Sequence, residues 1–140
     1  MLFGKRERTV KRILIVEDEP LVAFDNEHSL RDAGYEIVAT VDTVPNAINA
    51  MDDDVHLVLA DVNLSDGGSG KDVARAAQAR GVPLIFVTGG SPPDARTLAV
   101  GVLSKPYSQR DLIAAIDSVD AKLSGRPTKR IPKTFTLFTD

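Results

Sequence analysis

Val55-His56-Leu57-Val58-Leu59-Ala60-Asp61 is the stretch on which the reading of this chain turns. Residues 55–60 form a run of leucine and β-branched side chains with little polar alternation, as in a strand covered on both faces of a parallel sheet. An acid, Asp61, closes the run. Upstream, residues 12–16 read as a first strand and residues 20–33 as a helix, with Pro20 suited to its first turn and Gly34 placed to end it. Residues 35–40 read as a second strand, and residues 44–51 as a short helix carrying Ala47, Ile48 and Met51 near helical spacing. Downstream, a loop of small residues at 63–70 leads into a helix over 71–80, with Val73, Ala74 and Ala77 inward and Gly81 as its stop. A fourth strand follows at 83–88, and Pro92-Pro93 forces irregular backbone after it. Only residues 94–98 remain for a fourth helix. Residues 99–104 make a fifth strand. The last helix opens at Ser108 and Asp111 in capping-box-like positions, carries Leu112, Ile113, Ile116, Val119 and Leu123, and is closed by Gly125 and Pro127. Strands alternating with helices at this interval predict five βα units around a parallel sheet.

The composition agrees with one domain. The chain has 140 residues, 43% of them hydrophobic, which is enough to bury a core without metals or disulfides. A formal net charge of -3 offers no basic field for nucleic acid or anionic lipid, so neither is an expected partner. Without cysteine there is no disulfide framework, thiolate metal site or cysteine nucleophile. The basic start leads into an apolar run of only residues 13–16, too short for a signal peptide or a membrane span, and a cytoplasmic location is expected. The expected division is a basic extension at 1–10, a folded unit at 11–124 and a tail at 125–140 that is disordered when unbound.

In open parallel sheets, functional groups gather beyond the carboxyl ends of the strands. Glu17 and Asp18 follow strand one, Asp61 ends strand three, Thr88 ends strand four, and Lys105 follows strand five with Pro106 behind it. This set resembles the receiver domain of bacterial response regulators, in the pieces Ile-Leu-Ile-Val-Glu17-Asp18-Glu-Pro20, Leu-Val-Leu-Ala-Asp61-Val-Asn63-Leu, Phe86-Val-Thr88-Gly89-Gly90 and Leu-Ser-Lys105-Pro106-Tyr107. Phe86 and the Gly-Gly after Thr88 further resemble the Phe-Ala-Thr-Gly-Gly-Tyr-type single-domain subgroup of alphaproteobacterial stress and motility signalling. Val87 and Ser91 stand where that subgroup has Ala and Tyr.

The resemblance implies a flavodoxin-like, doubly wound (βα)5 fold with a five-stranded parallel sheet in the order 2-1-3-4-5. It implies a two-component phosphoprotein that is not an enzyme in the ordinary sense. Asp61 would accept a phosphoryl group from a sensor histidine kinase, and the signal would pass by contact to a downstream phosphotransfer or regulatory protein. A monomer is expected. A carboxylate can attack phosphorus to form an acyl phosphate, yet a pocket holding Glu17, Asp18 and Asp61 repels phosphate until a cation neutralises it. Mg²⁺ suits oxygen ligands of this kind. By resemblance, Asp18, Asp61 and the carbonyl of Asn63 would bind it, with Glu17 acting directly or through water. Lys105 would pair with Asp61 and then with phosphoryl oxygens, and Thr88 would donate its hydroxyl to one of them.

Three departures bear on output. Val102 stands where most receivers carry a switching aromatic residue, the segment between Thr88 and Lys105 is shorter by about one helical turn, and the loop after Asp61 is one residue longer. A short or mobile fourth helix that orders on phosphorylation is expected over residues 89–98, with the contact face there, at Val102 and along residues 108–123. The duller alternatives are a receiver-like module that signals without phosphorylation and a phosphatase of the haloacid-dehalogenase type. The latter wants a second Asp where Asn63 stands. His28 and His56 read as incidental, residues 52–54 as an exposed acidic turn, and the glycines at 67–70 as no nucleotide loop.

Overall fold

The run 55–60 becomes the centre of the sheet. In the computed structural model, which describes residues 8–64, 67–90, 92–128 and 130–138, strand β3 (Leu57–Asp61) is buried along its whole length. It lies between β1 (Arg12–Val16) and β4 (Leu84–Thr88), both parallel to it. With β2 (Glu36–Val41), β5 (Gly101–Ser104) and β6 (Phe135–Leu137) the order is β2-β1-β3-β4-β5-β6. The first five strands are parallel in the predicted 2-1-3-4-5 arrangement, and β6 is antiparallel to β5.

Because side chains alternate faces along a strand, the sheet divides the core in two. Ile13, Ile15, Leu57, Leu59, Ile85, Val87 and Leu103 meet α1 (Pro20–Asp32) and α5 (Gln109–Leu123), which contribute Leu30, Leu112, Ile116 and Val119. Leu14, Val16, Val58, Ala60, Leu84, Phe86 and Val102 face the other way. There they meet α2 (Val44–Ala50), α3 (Gly70–Ala79) and α4 (Ala95–Leu98). Helix starts are marked as the sequence suggests: Pro20 opens α1, and the Ser108 hydroxyl accepts from the Asp111 amide at 3.0 Å to cap α5.

Two expectations need correction. The sheet has six strands, because the segment expected to be a tail without structure supplies β6. The cause is packing: Phe135 is only 4% exposed, seated among β5 and α5 side chains, and its burial closes the sheet edge. The start is also partly built in. Val10 is fully buried, and the amides of Thr9 and Val10 donate to Asp120. Residues 1–7 of the basic extension lie outside the described residues.

Candidate functional site

Parallel pairing delivers the ends of β1, β3 and β5 to one rim, and three charged side chains meet there. Glu17 follows β1, its amide bonded to the Val41 carbonyl at 2.9 Å, and its side chain is buried. Asp61 ends β3 and is 6% exposed. Lys105 follows β5, its amide bonded to the Thr88 carbonyl at 2.8 Å, and a cis peptide joins it to Pro106. The Lys105 ammonium lies 2.8 Å from Asp61 Oδ2, 3.4 Å from Glu19 Oε1 and 3.7 Å from Glu17 Oε1. The other Asp61 oxygen, Oδ1, accepts from the Asn63 amide at 3.0 Å.

One ammonium facing three carboxylates leaves the rim short of positive charge. Burial, reinforced by the Asp61 charge, pushes the Glu17 carboxyl up to about 7, although the Glu19 amide and Lys105 pull the other way. For Lys105, burial opposes the charge, but the Asp61 hydrogen bond and the charges of Glu17, Asp61 and Glu19 outweigh it and hold the ammonium above its usual range. Oxygens of Glu17, Glu19 and Asp61 all lie within 4.8 Å of one another. Such a set of hard oxygen donors with excess negative charge fits a small divalent cation such as Mg²⁺.

Of the residues singled out from the sequence, Glu17, Asp61 and Lys105 come together. Asp18 is half-buried and lies outside the converging carboxylates, where Glu19 stands instead. Asn63 meets Asp61 through its amide. Thr88 is buried at the end of β4, and its hydroxyl accepts from the Gly90 amide at 3.1 Å.

Other residues were missed. Gly70 packs so closely under the site that a Cβ would sit 2.2 Å from the Asp61 carbonyl oxygen. The glycine run at 67–70 was the available signal, and its use is close backbone approach. Behind Lys105, the buried Asn26 donates to the Tyr107 hydroxyl at 2.8 Å and accepts from Gln109 Nε2 at 3.2 Å, joining α1 to the turn after β5. These three line a cavity of about 480 Å³ with Val22, Asp25, Lys105 and Pro106. A polar residue on the inner face of α1 was its only trace in the sequence.

Comparison with known proteins agrees with this geometry. The family model of the response regulator receiver domain matches residues 13–117, and the chain belongs to that family, whose members are signalling domains of two-component systems. It is 32% identical over 114 residues to the phyllosphere-induced regulator PhyR of Methylorubrum extorquens, covering 74% of this chain and 41% of the relative. It is 34% identical over 115 residues to the transcriptional regulatory protein PdtaR of Mycobacterium tuberculosis, covering 76% and 55%. The chain thus spans about half the length of these curated relatives. Among solved structures, SdrG from Sphingomonas melonis aligns with a TM-score of 0.67 at 36% identity, over 79% of this chain and 97% of that one. Among the described residues, no helix is long and apolar enough to cross a membrane.

Proposed function

We propose that this chain is a phosphoacceptor of a two-component phosphorelay, taking a phosphoryl group from a sensor histidine kinase onto Asp61. An Asp61 oxygen attacks phosphorus, the bond from phosphorus to the kinase histidine breaks, and an acyl phosphate remains. The observation that carries this reading is the 2.8 Å pair of Lys105 and Asp61 set among further carboxylates. Mg²⁺, when bound, would offset the negative charge of rim and phosphoryl group. Asp61, Glu17 and Glu19, whose oxygens converge, would hold it, with Asp18 and the Asn63 carbonyl as the further ligands that the family resemblance implies.

The residues divide the remaining work. Lys105 is fully protonated at neutral pH and close enough to Asp61 to follow charge onto the phosphoryl oxygens. Thr88 sits at the end of the neighbouring strand, with a hydroxyl that can leave Gly90 for a phosphoryl oxygen. Output then runs through protein contact with a downstream regulator, in stress signalling or kinase modulation as the resembled subgroup suggests, and from the cytoplasm.

The test is incubation with acetyl phosphate and Mg²⁺, read by intact mass. Wild type should gain one phosphoryl group and Asp61→Asn none. A gain that persists in Asp61→Asn moves the acceptor elsewhere and ends this reading.

A further inference from the structure

The cavity of about 480 Å³ behind Lys105 lies between α1, the turn after β5 and the first residue of α5. Its hydrogen bonds run in one direction. Gln109 Nε2 donates to Asn26 Oδ1 at 3.2 Å, and Asn26 Nδ2 donates to the Tyr107 hydroxyl oxygen at 2.8 Å. Asn26 is 1% exposed, so its amide is enclosed and its two bonds set that direction. The groups in the middle are used, and two ends are left over. Gln109 Oε1 is buried and has no hydrogen-bond partner. The Tyr107 hydroxyl accepts from Asn26, while its own proton has no acceptor among the described residues.

A buried carbonyl oxygen without a donor costs free energy that a ligand N–H would recover, and the spare phenol proton needs an oxygen. Both ends belong to side chains bonded to the same Asn26 amide, so they are neighbours. A carboxamide offers what they lack: a carbonyl oxygen for Tyr107 and an N–H for Gln109. Its arrival would close a ring in which Tyr107, ligand, Gln109 and Asn26 each donate once and accept once, and bonds in such a ring strengthen one another. A water has the same two capacities, but the space far exceeds the ~30 Å³ of one water and falls in the range of small-molecule sites. The rest of its wall, with Val22, Pro106 and Tyr107, suits an apolar body. Charge narrows the class further. Lys105 in the lining is already held by Asp61 at 2.8 Å, with Glu19 and Glu17 beside it, and the exposed Asp25 makes no ion pair among the described residues. An anion would meet a carboxylate and no free cation, and an amine has no oxygen for the Tyr107 proton.

We propose that this cavity is a binding site for a small neutral carboxamide or lactam carried on an apolar, ring-sized body. Tyr107 donates to the ligand's carbonyl oxygen, Gln109 Oε1 accepts from its N–H, and Asn26 holds both side chains in register. The site lies behind the acceptor lysine but needs neither a phosphoryl group nor a cation, so it stands apart from the role proposed for Asp61.

The probe is benzamide, titrated into the full chain in EDTA and followed by NMR amide shifts. It should move the backbone amides of Val22, Asn26 and Tyr107 and the side-chain amides of Asn26 and Gln109. A dissociation constant on the order of 1 mM or tighter is expected, as for a fragment-sized ligand. Acetophenone, which keeps the carbonyl without the N–H, and benzoate, which is anionic, should each bind about three- to tenfold more weakly. Two variants separate the ends of the hydrogen-bond chain. Tyr107→Phe should weaken benzamide and acetophenone alike by about three- to tenfold, whereas Gln109→Met should weaken benzamide by that factor and leave acetophenone unchanged. If a variant loses the wild-type amide pattern in β2 and α3, it has not folded, and the three ligands on wild type decide alone. No shift up to about 10 mM benzamide leaves the cavity to water and overturns the proposal. Equal binding of benzamide, acetophenone and benzoate overturns it too, because the cleft is then merely apolar. With no phosphoryl donor or Mg²⁺ in the experiment, failure here leaves the acceptor reading standing, and failure of that reading leaves this result unchanged.

Discussion

Two buried aspartates occupy opposite ends of the fold's logic. Asp120, on α5, is 3% exposed and fully engaged: Oδ1 accepts from the amides of Thr9 and Val10 at 2.6 and 2.7 Å, and Oδ2 faces Arg126 at 2.6 Å. Asp61 is nearly as buried, with Lys105 and the Asn63 amide as partners, yet Glu17 and Glu19 crowd the same space. A carboxylate whose surroundings match its charge serves structure, and here it fastens both chain segments flanking the domain to α5. One left among like charges is poised to take up a cation and a phosphoryl group.

Removal of each group should separate the two most widely. Asp120→Ala leaves two amides and a guanidinium without their acceptor, and should cost about 3–5 kcal/mol in urea unfolding. Asp61→Asn loses one ion pair but also relieves the repulsion from Glu17 and Glu19, and without divalent cation should cost clearly less than Asp120→Ala in the same measurement. Equal losses would erase the contrast. Gly70→Ala comes next, because the new methyl meets the backbone of Asp61 and the strand end must shift. About 1–3 kcal/mol is expected in the same measurement, together with slower phosphorylation by acetyl phosphate. A smaller effect comes from the cation. At ten times its dissociation constant, Mg²⁺ should stabilise wild type by about 1.4 kcal/mol, and the gain should vanish in Asp61→Asn. A gain of the same size in Asp120→Asn would confirm that the ion ignores the structural carboxylate.

The same contrast separates what the sequence disclosed from what it withheld. Strands β1, β3 and β4 and the capped helices were legible because each depends on local pattern: apolar runs, Pro20 at a helix start, Ser108 three residues before Asp111. Glu17, Asp61 and Lys105 were legible because a parallel sheet sends strand ends to one rim. Asp120 was invisible, since the two amides that it accepts from are about 110 positions away in the chain. Strand β6 was hidden for a related reason. Three residues of polar–aromatic mixture acquire strand character only from the recess over Gly101. Glu19, an exposed residue whose carboxylate still reaches the rim, went unnoticed because which of three successive acids faces Asp61 is decided by the backbone after β1. In that turn the Glu19 amide bonds back to Glu17 Oε2 at 3.1 Å.

The finest distinction is in pH dependence. Glu17 titrates near 7 in the fold, against an ordinary value of 4.5, because burial and the Asp61 charge disfavour its ionised form. The folded state therefore holds that proton more tightly than the unfolded chain does. The stability it contributes is complete below about 4.5 and is lost as pH rises through about 7. Urea unfolding between pH 5 and pH 8 in EDTA should show stability falling with pH, by at most about 1.4 kcal/mol per unit for one proton. Glu17→Gln, which cannot ionise, should flatten that slope, and the difference between the two proteins isolates this residue from every other titrating group. Saturating Mg²⁺ should flatten it as well, by supplying the charge that makes the ionised form tolerable. If wild type and Glu17→Gln keep the same slope, Glu17 is solvated rather than enclosed, and the rim loses the like-charge pressure that sets Asp61 apart from Asp120.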